Sequence, residues 1–508
     1  MTLPLTQWWP LLVGPLLIAA CAPRDAGAAA PWRTGPELAR ATLCGALVAA
    51  MSTLWLVRFT YPLKPWMASD FYEYCASVGA ARDSHAGMMS AQRSAFTALP
   101  SAWLSESFGL IDGMGLAASV AMFVLGVGLY LWGRALGGVS AGLITALVGP
   151  AFPPLVALSR NLSFYPESTA IFTLGAACGA LALRYRTAPA IVAGAVGAGL
   201  CFLVDPRGLF FGLPVLCATL LAALWNHPRR WPLNLTLLTL VMVVAWFLGK
   251  GAYAEAHSLE GTMDLRMRIQ DRGLATGALR PPFMAYNQYI WGRSDPLGIP
   301  NTVRWTLEES LAVPKTTLDE QTLRNIDALL SPWRDGLLAL GGLALLGLTR
   351  GPERLARLLA LVAGVVPFAA ALSGAITVQF ARPHYLANAM PFFPLLVGLG
   401  VAALLGLPSP IFGQEPAQGP RSWARPVAAF VLGLVLTLGG VPSPLSPTAE
   451  WRAPFPQADD DIRTAVRRAQ AGAAAELDPL RAGCVTALMA DAAAGRPVAG
   501  ELFGGVAP

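Results

Sequence analysis

Four short segments hold residues whose types and spacing could do chemistry. The first is Met67-Ala-Ser-Asp70-Phe-Tyr-Glu73-Tyr74. Asp70 and Glu73, three residues apart, share a helix face, and the aromatics between them favour a membrane interface. A carboxylate held there could take a proton from an acceptor hydroxyl. The plain alternative is that Ser69 or Asp70 caps a helix and Glu73 completes a capping box. The second segment is Ser159-Arg160-Asn-Leu-Ser-Phe-Tyr165-Pro166-Glu167. Pro followed by Glu is an ordinary helix start. A carboxylate at the mouth of a helical bundle is also a site candidate. The third, Asp205-Pro206-Arg207-Gly208, reads mainly as a helix start. In the fourth, Phe380-Ala-Arg382-Pro383-His384-Tyr385-Leu386, Arg, His and Tyr converge at one helix N-terminus. A helix N-terminus with Arg is a ready anion site, although Arg382 could simply snorkel to an interface. Lys250, at the end of an apolar run, faces the same choice.

The elements that must position these residues are apolar helices. Of the 508 residues 55% are hydrophobic and only 13% charged, and the mean hydropathy is +0.53. Soluble domains carry about 25% charged residues. The charge deficit is gathered in uncharged runs long enough to cross a bilayer, where only helices satisfy the backbone. The runs fall near 41–57, 113–133, 139–158, 168–183, 188–204, 208–225, 233–249, 336–349, 358–378, 384–407 and 426–441. The expected fold class is therefore all-α, a polytopic membrane protein of about eleven spans. Residues 7–21 would be a twelfth if they cross; they could also lie at the interface. Ile18-Ala19-Ala20-Cys21 looks like a lipoprotein cleavage box, but the segment lacks the basic start of a signal peptide.

Basic residues in short loops set the orientation. Arg134, Arg184, Arg186, Arg229, Arg230, Arg350, Arg354, Arg357, Arg421 and Arg425 fall on one side, assigned to the cytoplasm of a bacterial inner membrane. Of the 30 acidic residues, only Asp25, Glu37, Glu353 and Glu415 share that side. The expected organisation is an N-terminal segment 1–40, a membrane domain 41–441 and an outer tail 442–508. Outer loops run over 58–112 and 250–335. In the tail, Asp459-Asp460-Asp461 opens a helix expected to run towards Glu476, acidic residues suiting the positive helix start. The formal charge of +6 requires no nucleic-acid partner. No Cys/His metal spacing and no cofactor motif is legible among the seven Cys, which leaves a divalent metal open. Cys75 and Cys484 lie on the outer, oxidising side. They could bridge the tail to the first loop or remain two free thiols.

Carboxylates and cations gathered on an outer face suit one reaction in particular. A sugar moving from a lipid phosphate to an acceptor hydroxyl releases a polyprenyl phosphate, which needs positive charge rather than a general acid. The acceptor needs a base. The layout of residues 40–441 resembles the GT-C superfamily of polyprenyl-phosphate-sugar glycosyltransferases, the group of the protein mannosyltransferases and aminoarabinose transferases. The resemblance implies that Asp70, in the first outer loop, is the catalytic base and Glu167, after the third span, a second catalytic acidic residue. It implies that Arg382, His384 and Tyr385 hold the donor phosphate, with Lys250 and Glu73 as further substrate-binding residues. The implied partners are a polyprenyl-phosphate-linked sugar donor and a lipid, glycan or protein acceptor, with inversion at the sugar carbon. The acidic pair common beside the base is replaced here by Asp70-Phe-Tyr-Glu73. Two other classes fit the composition: a transporter or flippase of a lipid-linked saccharide, which would want charges in mid-span, and a non-catalytic membrane subunit of the same fold.

Overall fold

Uncharged runs punctuated by Arg, Pro and Gly become helices in the computed structural model of the chain. It describes residues 43–50, 68–84, 95–151, 155, 158, 162–204, 208–226, 231–256, 341, 344, 348, 354–364, 388, 390–405, 427–433, 456–472 and 479–498. The elements are α1 (Ala68–Ser84), α2 (Ala95–Phe108), α3 (Leu110–Ala151), α4 (Tyr165–Tyr185), α5 (Ala188–Val204), α6 (Gly208–Asn226), α7 (Trp231–Ala256), α8 (Phe392–Leu405), α9 (Pro456–Gln470) and α10 (Pro479–Ala493). Among the described residues every regular element is helical. Segments 43–50, 354–364 and 427–433 are helical too.

The long element α3 is two helices joined by one residue. Gly138 has φ 82° and ψ −172°, a backbone that a Cβ would strain. The arms fold back on each other. A Cβ on Gly133 would lie 2.8 Å from Thr145 Oγ1, and one on Gly142 would lie 2.8 Å from Tyr130 O. The expected span 113–133 and the part of 139–158 up to Ala151 are thus the arms of a helical hairpin, with its turn beside Arg134. Arg134 is buried and donates from Nη1 to Tyr130 Oη at 2.9 Å.

The hairpin packs on α4, α4 on α5, and α5 on α6 and α7, while α8 lies against α3. One apolar core joins α3, α4, α5, α6 and α8 around Tyr130, Trp132, Leu395 and the stacked pair Phe172 and Phe211, whose rings lie 4.1 Å apart. A second core lies between α1, α2, the start of α3, the start of α4 and the tail helices α9 and α10. Two described segments, Leu110–Gly149, which holds both arms of the hairpin, and Tyr165–Tyr185, are long and apolar enough to cross a membrane. Shorter apolar helices are Ala188–Val204, Phe211–Trp225, Trp231–Ala245 and Phe392–Leu405. Several of the eleven expected spans fall wholly or partly outside the described residues.

Two expected boundaries shift. Lys250 was expected to end its run, but α7 continues past it to Ala256. The tail helix was expected to run towards Glu476, but α9 stops at Gln470. Gly472 has φ 66° and donates its N–H to Ala469 O at 3.1 Å, and a left-handed glycine just past a helix terminates it.

Candidate functional site

The N-terminus of α4 is built by Phe164-Tyr165-Pro166. Pro166 stands in the first turn, where its missing N–H costs nothing. Ser163 Oγ accepts the Tyr165 N–H at 3.4 Å, and Ser168 N donates to Phe164 O at 3.1 Å. Glu167 therefore enters the second core on a rigid first turn, only 7% exposed.

The first-loop helix meets it there. Phe71, Tyr74, Cys75, Val78 and Arg82 form the buried stripe of α1, at the spacing of one helix face. Tyr74 Oη lies 3.0 Å from Glu167 Oε1, 3.1 Å from Thr97 O and 3.0 Å from Ser101 Oγ. The phenol has one proton, so it donates to Glu167 or to Thr97 O, while Ser101 can donate to the phenol oxygen. Thr97, Ser101 and Ser105 are buried on one face of α2, whereas Leu99 and Trp103 are exposed on another, Trp103 by 72%. This helix turns a stripe of hydroxyls inward and leaves two large apolar side chains exposed.

Glu167 Oε2 has no hydrogen-bond partner among the described residues. A buried acceptor left unmade costs about 1–3 kcal/mol, so this oxygen is suited to receive a donor brought by a ligand. Two residues along α4, Thr169 Oγ1 donates to Asn388 Oδ1 at 2.9 Å, and both residues are buried. Asn388 follows the Arg382-Pro-His-Tyr385 segment, so a late part of the chain is seated against the start of α4, on the side that carries Thr169.

Not all of the expected site residues converge here. Asp70 lies in the first turn of α1, one turn before Tyr74. Because the helix runs from Ala68, Ser69 and Asp70 are inside it rather than ahead of it, and Glu73 is past the position a capping box requires. Glu73 is half-buried, and its backbone carbonyl accepts from Ser77 Oγ at 2.7 Å. Tyr74, not Glu73, is the residue of α1 that reaches Glu167. Lys250 is on α7, within the helix. Arg382, His384 and Tyr385 lie outside the described residues. Among the described residues no group of three His, Cys, Asp or Glu is arranged to hold a metal.

Sequence reasoning passed over Tyr74, Ser101 and Asn388. The signal for Tyr74 was present: it sits four residues after Asp70, the spacing that stacks side chains along a helix. Ser101 and Asn388 had no comparable local signal.

No protein-family model matches the chain, and no curated protein does. Among solved structures, the chain is similar to ArnT from Cupriavidus metallidurans bound to undecaprenyl phosphate, at 15% identity and a TM-score of 0.44, over 90% of this chain and 75% of that one. It is similar to the apo state of the same protein at 15% identity and a TM-score of 0.44, over 88% of this chain and 74% of that one.

Proposed function

We propose that the protein is a membrane glycosyltransferase that moves a sugar from a polyprenyl-phosphate donor to an acceptor hydroxyl on the outer face of a bacterial inner membrane. One observation carries the reading. Two carboxylate segments singled out separately, 93 residues apart at their contact, are joined by the hydrogen bond from Tyr74 to Glu167. Asp70 stands one turn before that bond on the same helix. A late segment reaches the first turns of the same helix through the bond from Thr169 to Asn388.

The chemistry follows from what each group can do. Asp70 accepts the proton of the attacking hydroxyl. The polyprenyl phosphate leaves as an anion, stabilised by Arg382 with His384 and Tyr385. Arg suits this role because its planar fork holds two phosphate oxygens at once. Glu167, steadied by Tyr74 on one oxygen, orients the acceptor with the other. Attack opposite the phosphate inverts the sugar carbon.

The exposed apolar surface supports a membrane setting. Leu233 and Leu240 on α7 are 71% and 57% exposed, and Leu224 on α6 is exposed as well. A run of this kind suits lipid better than water. The first loop, the turn before α4 and the tail, all assigned outside by charge, also share one core.

The test is to incubate purified protein with a panel of polyprenyl-phosphate sugars and follow release of the lipid phosphate, with the product anomer read by NMR. Release with inverted configuration is the expected result. Retention of configuration would sink the single-displacement mechanism, and no release with any donor would sink the glycosyltransferase reading.

A further inference from the structure

The C-terminal helix lies along the helix that carries Asp70 and Tyr74, and holds it at two points. Cys484 of α10 is bonded to Cys75 of α1, the residue after Tyr74, with the Cα atoms 5.1 Å apart. One heptad further along both helices, the buried Arg82 Nη1 pairs with Asp491 Oδ1. A seven-residue step returns to the same helix face, so the two helices run parallel with a covalent bond at one level and an ion pair at the next. At the disulfide and between the two levels the helices approach closely. A Cβ on Gly79 would lie 2.5 Å from Ala487 Cβ, and one on Gly483 would lie 3.1 Å from Ala76 Cβ.

Asp491 ties in more than α1. Its Oδ1 also accepts from Arg496 Nε at 2.9 Å, and its Oδ2 accepts the Leu110 N–H at 2.6 Å. Leu110 is the first residue of α3, whose N–H has no partner within its own helix. Arg82 Nη2 reaches Ala487 O at 3.4 Å. One fully buried carboxylate thus joins the end of α1, the start of α3 and the chain after α10. A carboxylate removed from water is retained only when paired and hydrogen-bonded, and this one is. None of these groups takes part in the chemistry above.

We propose that α10 is a positioning element of the candidate site, with Asp491 as its positioning residue, fixing α1 so that Tyr74 meets Glu167 and Asp70 faces the reaction. The inference rests on the reading of α1 as the base-bearing helix. A helix of 17 residues is marginal by itself, so its placement comes from what it packs against. Small misplacements of a reacting group are costly in rate.

Amide hydrogen exchange on the full chain in lipid nanodiscs tests it, comparing wild type with Cys484→Ser and Asp491→Asn, alongside lipid-phosphate release. Both variants are expected to speed exchange across 68–84 by about tenfold or more and leave 165–185 within about twofold. The kcat should fall by about tenfold or more while the donor KM stays within about threefold. Unchanged exchange across 68–84 would overturn the proposal. So would exchange rising equally in 165–185 in Cys484→Ser, because that would be a loss of general stability. If Asp491→Asn does not fold, Cys484→Ser decides alone. If wild type releases no lipid phosphate, the functional reading falls, and the exchange comparison still decides whether α10 positions α1.

Discussion

Tyr74 concentrates several demands on a single proton. It touches Glu167, Thr97 and Ser101, and its loss would leave Glu167 with neither oxygen bonded to a described side chain. Tyr74→Phe keeps the ring in the core and removes only the hydroxyl. It should lower turnover by about three- to tenfold, the value of one hydrogen bond, with the protein still folded by circular dichroism. Glu167→Gln keeps the shape and replaces the acid by an amide. It should raise the acceptor KM more than it lowers kcat, because orienting the acceptor is its role here, and steady-state kinetics with varied acceptor separates the two. Asp70 and Glu167 stood out in the sequence because charges are scarce beside apolar runs, and both lie in the first turn of a helix. Their bridge was not, because a contact across 93 residues leaves no local periodicity.

Gly109 shows how closely the tail is fitted into the fold. It separates α2 from α3 with φ 80°, and a Cβ there would collide with the Pro497 carbonyl. Gly109→Ala should therefore destabilise the protein by at least about 1–3 kcal/mol, seen as a lowered thermal midpoint, whereas Gly495→Ala meets no neighbouring atom and should pay only for its φ of 70°. The bond between Cys75 and Cys484 makes a second check available. A thiol-reactive mass tag should reach both residues only after reduction, and labelling of both beforehand would contradict the bridge. Some helix boundaries were well marked where charges or Pro end an apolar run, although α7 ran on past Lys250. The expected run 188–204 coincides with α5, and 208–225 differs from α6 by one residue. Partners were less visible. The charge pattern placed Cys75 and Cys484 in one compartment yet left bridge and free thiols both open. Asp491, in a helix of small residues, gave no sign that it meets Leu110, 381 residues away.

The whole molecule separates two ends. Tyr165 to Tyr185 is 21 residues, or about 31 Å of helix, close to the hydrocarbon thickness of a bilayer. The Tyr74–Glu167 contact sits at one end of α4, and Arg184 and Arg186 sit at the other. The topology read from charge therefore predicts active alkaline-phosphatase fusions after residues 300 and 470 and an inactive one near 228; the reverse pattern would overturn the orientation. The central claim is that Asp70 is the base of a sugar transfer at the first of these ends. The most direct measurement is the turnover of Asp70→Asn with whichever polyprenyl-phosphate sugar wild type uses. Asn matches the size and lacks the basicity, so turnover should fall by about two orders of magnitude or more, with donor binding nearly unchanged. Near-normal turnover would contradict the account, because an amide cannot take the proton of the attacking hydroxyl, and would reveal Asp70 as structural.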